Sequence, residues 1–168
     1  AHMMALLMSM APQGALSMER GRSLLDGPHW SRTYACACGG FVSVQCLEPK
    51  FYAVFLERMG LSEDPEFAEQ FDAARWPRLT ARLAGLFAER TRDAWAAHFA
   101  GADACVAPVL TPEDAARDPH MTAREVWQAP GGVLQPAPAP RFGPRPAPLA
   151  PAPARGEHGA EIRAWLQE

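Results

Sequence analysis

Nowhere in this chain does a glycine-rich loop stand between an apolar strand and a helix, the arrangement in which backbone N–H groups cradle a phosphate. A self-contained nucleotide site is therefore not expected. Apolar runs such as Met3 to Met10 fall far short of a membrane span, and no positively charged region precedes that run as a secretory signal requires. A cytoplasmic chain without a membrane partner is expected. The formal charge is only −3, and the 16 Lys and Arg residues are spread along the sequence without a basic stripe, so nucleic acid is excluded as a partner class. Four cysteines do not suggest a disulfide framework in a globular chain of this size.

What is present is 168 residues, 18.3 kDa, enough for one domain with a sizeable core or for a small domain plus a tail. Ala1-His2 ahead of Met3 reads as an expression remnant, and Met3 to Ser23 as a Met- and Ala-rich leader broken by Asp26-Gly27-Pro28. From Tyr34 to Leu61 the pattern is a hairpin followed by a helix. Phe41, Ser43 and Gln45 alternate with Val42, Val44 and Cys46, and Gly39-Gly40 supplies the turn. Pro49 suits a first helical position, and Phe51, Tyr52, Phe55, Leu56 and Met59 recur at helical spacing until Gly60.

Further helices are expected from Asp64-Pro65-Glu66 to Phe71, over Trp76, Leu79, Leu83, Leu86 and Phe87, and from a Thr91 cap through Trp95 and Phe99 to Gly101. Ala104 to Leu110 reads as a strand that Pro108 confines to an edge, and Thr111-Pro112 and Asp118-Pro119 each cap a short helix. Nine of the seventeen prolines fall between Pro130 and Ala154, which predicts an extended strap, and Ile162, Trp165 and Leu166 mark a closing helix that has to dock on something. The expected fold is α+β: a leader over 1–27, a small domain with a short antiparallel sheet over 28–117, and a proline-rich tail over 118–168.

The chemistry centres on Glu48. At the joint between a strand and a helix N-terminus it is either a fixed anion at a catalytic site or a helix acid worth about 0.3–1 kcal/mol against the dipole. Cys36 and Cys38, read as facing one side of a strand, could combine with Cys46 as metal ligands. The spacing lacks the second pair that zinc sites use, Cys105 being alone, so small packing side chains are the default and no metal is expected. Arg32, Tyr34, Phe51 and Tyr52 either pack or touch an acyl chain or adenine. His29, His98, His120 and His158 are not assigned as a base.

The segment CLEPKFYAVFLERMGL, with DACVAPVLTPEDAARDPHMTAREVW downstream and the ending RGEHGAEIRAWLQE, resembles the C-terminal half of a family III CoA-transferase. Its Glu-Pro-x-Phe-Tyr element most resembles the α-methylacyl-CoA racemase branch. The resemblance runs in consistent order from about Leu24 onward, and it implies a part of a longer enzyme whose N-terminal half supplies a catalytic histidine and aspartate. It implies that Glu48 lies at the active site and accepts a hydrogen bond from that histidine. It further implies a coenzyme A thioester as substrate with no tightly bound cofactor, epimerisation of 2-methyl-branched acyl-CoA, and a homodimer or a complementary N-terminal half as partner. CoA transfer between carboxylic acids, using an aspartate of the other half, and a non-catalytic dimerisation module stand as the alternatives. The Ala-Cys-Ala-Cys stretch departs from the polar residues expected there in the family.

Overall fold

The computed structural model describes residues 4–14, 16–145 and 147–167, and its contacts divide the chain into Ala1–Val109 and Leu110–Glu168. In the first unit a short exposed helix α1 (Ala5–Met10) leads to strands β1 (Ser31–Ala35) and β2 (Phe41–Gln45). Helices α2 (Pro49–Met59), α3 (Trp76–Phe87) and α4 (Arg92–Phe99) follow, then strand β3 (Val106–Val109). The sheet is antiparallel in the order β1-β2-β3. Val42 faces Tyr34 on one side and Pro108 on the other, so Pro108 lies on an edge strand as its missing N–H requires.

Register follows from burial. Val42 and Val44 are fully buried while Phe41 and Gln45 are exposed, and a slip by one residue would exchange the two sets. Gly39, at φ 76°, makes the turn, with Gly39 N–H donating to Cys36 O and Cys36 N–H to Gly40 O. β1 has therefore ended before the cysteine pair: Cys36 is buried and Cys38 lies exposed in the turn, not on a shared strand face.

The three longer helices cover the Val42/Val44 face. Tyr52, Phe55 and Leu56 of α2, Leu79, Leu83 and Phe87 of α3, and Trp95 and Phe99 of α4 enter one core with Trp30 and Tyr34. Tyr34 stacks on Phe87 at 4.9 Å between centroids, Phe87 meets Trp95 edge-on at 5.0 Å, and Phe55 stacks on Phe99 at 6.1 Å. Local chemistry sets the helix ends. Thr91 Oγ1 accepts from Ala94 N–H at 3.2 Å, and Gly60, in the left-handed region, lets Leu61 N–H reach back to Leu56 O at 2.8 Å.

The helix expected from Asp64 to Phe71 does not form; the segment is a series of turns. Asp64 Oδ1 accepts from Glu66 N–H, which closes an Asx turn, and the residues beyond it are claimed by tertiary bonds. Gln70 Nε2 donates to Cys46 O at 3.0 Å and Leu47 O at 2.9 Å, while Gln70 O accepts both Trp30 Nε1–H and Trp76 Nε1–H at 3.0 Å. A helix of two turns is marginal on its own. Four tertiary hydrogen bonds to Gln70 outweigh it.

The second unit contains α5 (Pro112–Arg117) and α6 (Pro119–Ala123), a two-residue pairing of β4 (Trp127–Gln128) with β5 (Gln135–Pro136), and α7 (Gly159–Trp165). Thr111 Oγ1 and Asp118 Oδ1 cap the first two helices as the Thr-Pro and Asp-Pro pairs predict. Within the proline-rich run Gln128 binds the chain twice, donating to Ala147 O at 3.0 Å and accepting from Leu149 N–H at 2.8 Å. Ile162, Trp165 and Leu166 of the closing segment are exposed.

Candidate functional site

Glu48 is reached by leaving the buried strand and entering α2. Cys46 N–H bonds to Trp30 O, Gln70 holds the next two carbonyls, and Glu48 then adopts an extended conformation (φ −73°, ψ 135°) as the residue capping α2. Its carbonyl accepts from Phe51 N–H and Tyr52 N–H, both at 3.0 Å, so the main chain is committed to the helix. Its carboxylate is not. The side chain is exposed and makes no capping hydrogen bond, although Pro49 at the first helical position leaves the donors of the second and third helical residues in place, as Pro112 and Pro119 do for the Thr111 and Asp118 caps. Lys50 Nζ lies 4.5 Å over the Phe51 ring.

The surroundings are acidic and open. The Cys105 thiol, at φ 51°, is pushed up by burial and then by the carboxylates of Asp103 and Glu48, against a lowering contribution from Lys50. These groups therefore stand around the end of β2. On the outer face of the sheet Phe41 pairs across from Val109, with 46% and 41% of their surfaces exposed, at the end of β2 away from Glu48, while Leu47, next to Glu48 in sequence, is 43% exposed.

No described histidine bonds to Glu48. His98 Nε2 lies 2.8 Å from Arg58 O, and His158 Nδ1 lies 3.4 Å from Glu161. His29 is fully buried, its Nε2 2.7 Å from Tyr52 Oη. Because Tyr52 Oη donates to Phe67 O at 3.1 Å, His29 is the donor in that contact and its bare Nδ1 has no partner among the described residues. Burial first, and Arg32 second, push its pKa down to about 4. Nothing in the sequence around Pro28-His29-Trp30 announces this, because an enclosed histidine and an exposed one look alike without a periodic element to place them. It cannot reach a substrate.

The other candidates sort by burial. Tyr34 and Tyr52 belong to the core, their hydroxyls pushed well above the usual range by burial, and Phe51 is half-buried against it. Cys46 is fully buried, with its thiol pushed up to about 12 by burial. Among the described residues no three of His, Cys, Asp and Glu gather as a metal site. Arg32 lines a cleft of about 480 Å³ along β1, together with Arg20, Asp26 and Thr80, and Glu48 is not part of that lining. No helix of the described residues is long and apolar enough to cross a membrane.

Comparison with known proteins agrees with the sequence resemblance. The sequence pattern of CoA-transferase family III matches residues 1–159. The chain is 38% identical over 167 residues to an alpha-methylacyl-CoA racemase of Mus musculus, covering 96% of this chain and 43% of that protein. It is 37% identical over 155 residues to the racemase of Homo sapiens, covering 85% of this chain and 38% of that protein. Among solved structures a CAIB/BAIF family protein from Brucella suis superposes with a TM-score of 0.63 at 26% identity, over 97% of this chain and 44% of that one. The chain thus spans less than half the length of the relatives it matches. It belongs to CoA-transferase family III.

Proposed function

We propose that this chain is the small α+β portion of an acyl-CoA-processing enzyme that epimerises 2-methyl-branched acyl-CoA thioesters, with Glu48 serving as a fixed anion at an active site completed by other polypeptide. The observation that supports this reading most is the exposed carboxylate of Glu48, held at the head of α2 without a capping bond and next to exposed Leu47, in a chain similar to racemases. Epimerisation needs one group to take the α-proton, another to return it on the opposite face, and stabilisation of the enolate between them. A carboxylate held at the head of α2 and accepting a hydrogen bond from a histidine orients the ring and raises its pKa, which favours a general base. On the resemblance, the histidine and its acid partner come from the N-terminal half of the longer enzyme, and the enclosure of His29 and the bond of His98 to Arg58 O are in keeping with this.

The partner is a second copy of the enzyme or a complementary N-terminal half, seated on the Phe41/Val109 face; the coenzyme A thioester is substrate, and no tightly bound cofactor takes part. The test is solvent deuterium exchange at the α-carbon of a 2-methylacyl-CoA. The isolated chain is expected to give none, and the complete enzyme is expected to exchange and to lose about a hundredfold or more in rate on Glu48→Gln. Full activity of that variant would overturn the role of Glu48. Transfer of CoA to a free carboxylic acid without α-proton exchange would favour the transferase activity named by the family itself.

A further inference from the structure

We propose that the free edge of β1 is a docking groove for an extended acidic peptide, which adds to the sheet as a fourth strand. This inference does not depend on the role of Glu48. Trp30 O accepts from Cys46 N–H and Cys36 N–H donates to Gly40 O, so the even-numbered residues of β1 point their backbone groups toward β2. Ser31, Thr33 and Ala35 therefore point theirs away. Ser31 N–H is used by Pro28 O, but the N–H and C=O groups of Thr33 and Ala35 have no partner among the described residues. β1 is paired in an unbroken register over its five residues, without bulge or proline, so this edge is straight and able to accept a strand.

The edge is not a bare rim. The cleft of about 480 Å³ runs along all five residues of β1, walled by Thr80 and Ala84 of α3 and by the loop holding Arg20, Leu25 and Asp26. Its charge is positive where a ligand would lie. Arg32 is held by two neutral acceptors, donating to Thr80 Oγ1 at 3.2 Å and Asp26 O at 2.9 Å, and forms no ion pair among the described residues. The Arg20 side chain, at the exposed mouth, likewise has no partner among the described residues. The one carboxylate in the lining, Asp26, is turned inward to Gly21 N–H at 2.7 Å, Ser23 N–H at 3.2 Å and Ser23 Oγ at 2.7 Å.

A small anion would satisfy the arginines and the two free N–H groups but would face the free carbonyls of Thr33 and Ala35, which repel it. Another peptide backbone, offering donors and acceptors alternately, satisfies both sets, and carboxylates on its alternate side chains meet Arg20 and Arg32. An edge of five residues, about 17 Å, accommodates such a strand.

The test uses the whole chain and an end-blocked heptapeptide alternating glutamate with valine. At low salt the peptide is expected to bind, to slow hydrogen exchange at the Thr33 and Ala35 amides, and to bind several-fold more weakly to the Arg20→Glu variant, altered at an exposed side chain with no hydrogen-bond or ion-pair partner among the described residues. The same peptide N-methylated on alternate residues is expected not to bind, a control that leaves the protein untouched. Equal binding of the N-methylated peptide, or its full displacement by inorganic phosphate, would reduce the groove to an anion site and overturn strand addition. So would failure of the parent peptide to protect Thr33 and Ala35.

Discussion

The two faces of the β1-β2-β3 sheet are made by the same strands from alternate residues, yet they serve opposite ends. On one, Val42 and Val44 vanish under three helices; on the other, Phe41 and Val109 stay open. The covered face makes the fold, because it removes aromatic surface from water. The open face leaves apolar area unused by the fold, which is what an interaction surface needs. Changes on the first face should therefore be felt as lost stability, and changes on the second as lost association or turnover.

The largest effect is expected at Phe87, fully buried and in contact with Tyr34, Phe55 and Trp95. Phe87→Ala should cost about 3–5 kcal/mol, read as a lowered urea midpoint. Phe41→Ser, on the other face of the same sheet, should stay within about 0.5 kcal/mol while weakening association with a complementary half. Equal losses at both positions would end the contrast between the faces.

Acid sharpens the comparison from within the core. His29 has a folded pKa of about 4, below its ordinary value near 6.5, so the unfolded chain binds the extra proton first. Stability contributed by the neutral ring is complete above about pH 6.5 and is lost as pH falls toward about 4, on the order of 3 kcal/mol at the limit. Arg32 is the charge that reinforces the effect of burial. Comparing denaturant midpoints of the parent and His29→Gln across that range separates the histidine from the carboxylates, which titrate at its lower end in both proteins. A parallel pH dependence in both proteins would show that His29 does not titrate in this window.

A smaller effect is expected at a helix end. Thr91→Ala removes the oxygen that accepts Ala94 N–H and should cost about 1 kcal/mol by the same midpoint measurement, with no change in association, since α4 lies under the covered face.

How much of this was legible in the sequence depends on how local each cause is. The hairpin, α2 and its Gly60 stop, the Thr91, Thr111 and Asp118 caps and the edge position of Pro108 all rest on residues within a few positions of one another, and each is found where the pattern puts it. The 64–71 turns are set by Trp30, Cys46, Leu47 and Trp76 reaching Gln70 from elsewhere in the chain, and no window over that segment contains them. The same holds for the burial of His29 and for the cleft beside β1, whose walls come from three separate stretches. The strand alternation up to Cys46, Pro49 and the helical spacing from Phe51 to Met59 put Glu48 at the strand-to-helix joint, where it is found. Its role could not be read from that position, since a capping acid and a catalytic-site anion share it in sequence.

The smallest expected effect on stability is the one that separates those two uses. A helix-capping glutamate has its oxygens on the N–H groups of the following turn, and replacing it removes a charge-assisted bond that the helix uses. Glu48 makes no such bond; the first-turn amides of Phe51 and Tyr52 go to its carbonyl, which Glu48→Gln leaves in place. What remains is interaction of an exposed charge with the α2 dipole, a few tenths of a kcal/mol that salt screens. Melting of Glu48→Gln should thus be nearly superimposable on the parent at moderate salt, in contrast to the Thr91→Ala cap variant. A loss of 1 kcal/mol or about that size would mean that the carboxylate serves the helix after all. Unchanged melting together with a collapse of α-proton exchange in the complete enzyme would assign the Glu48 carboxylate to catalysis and not to the helix.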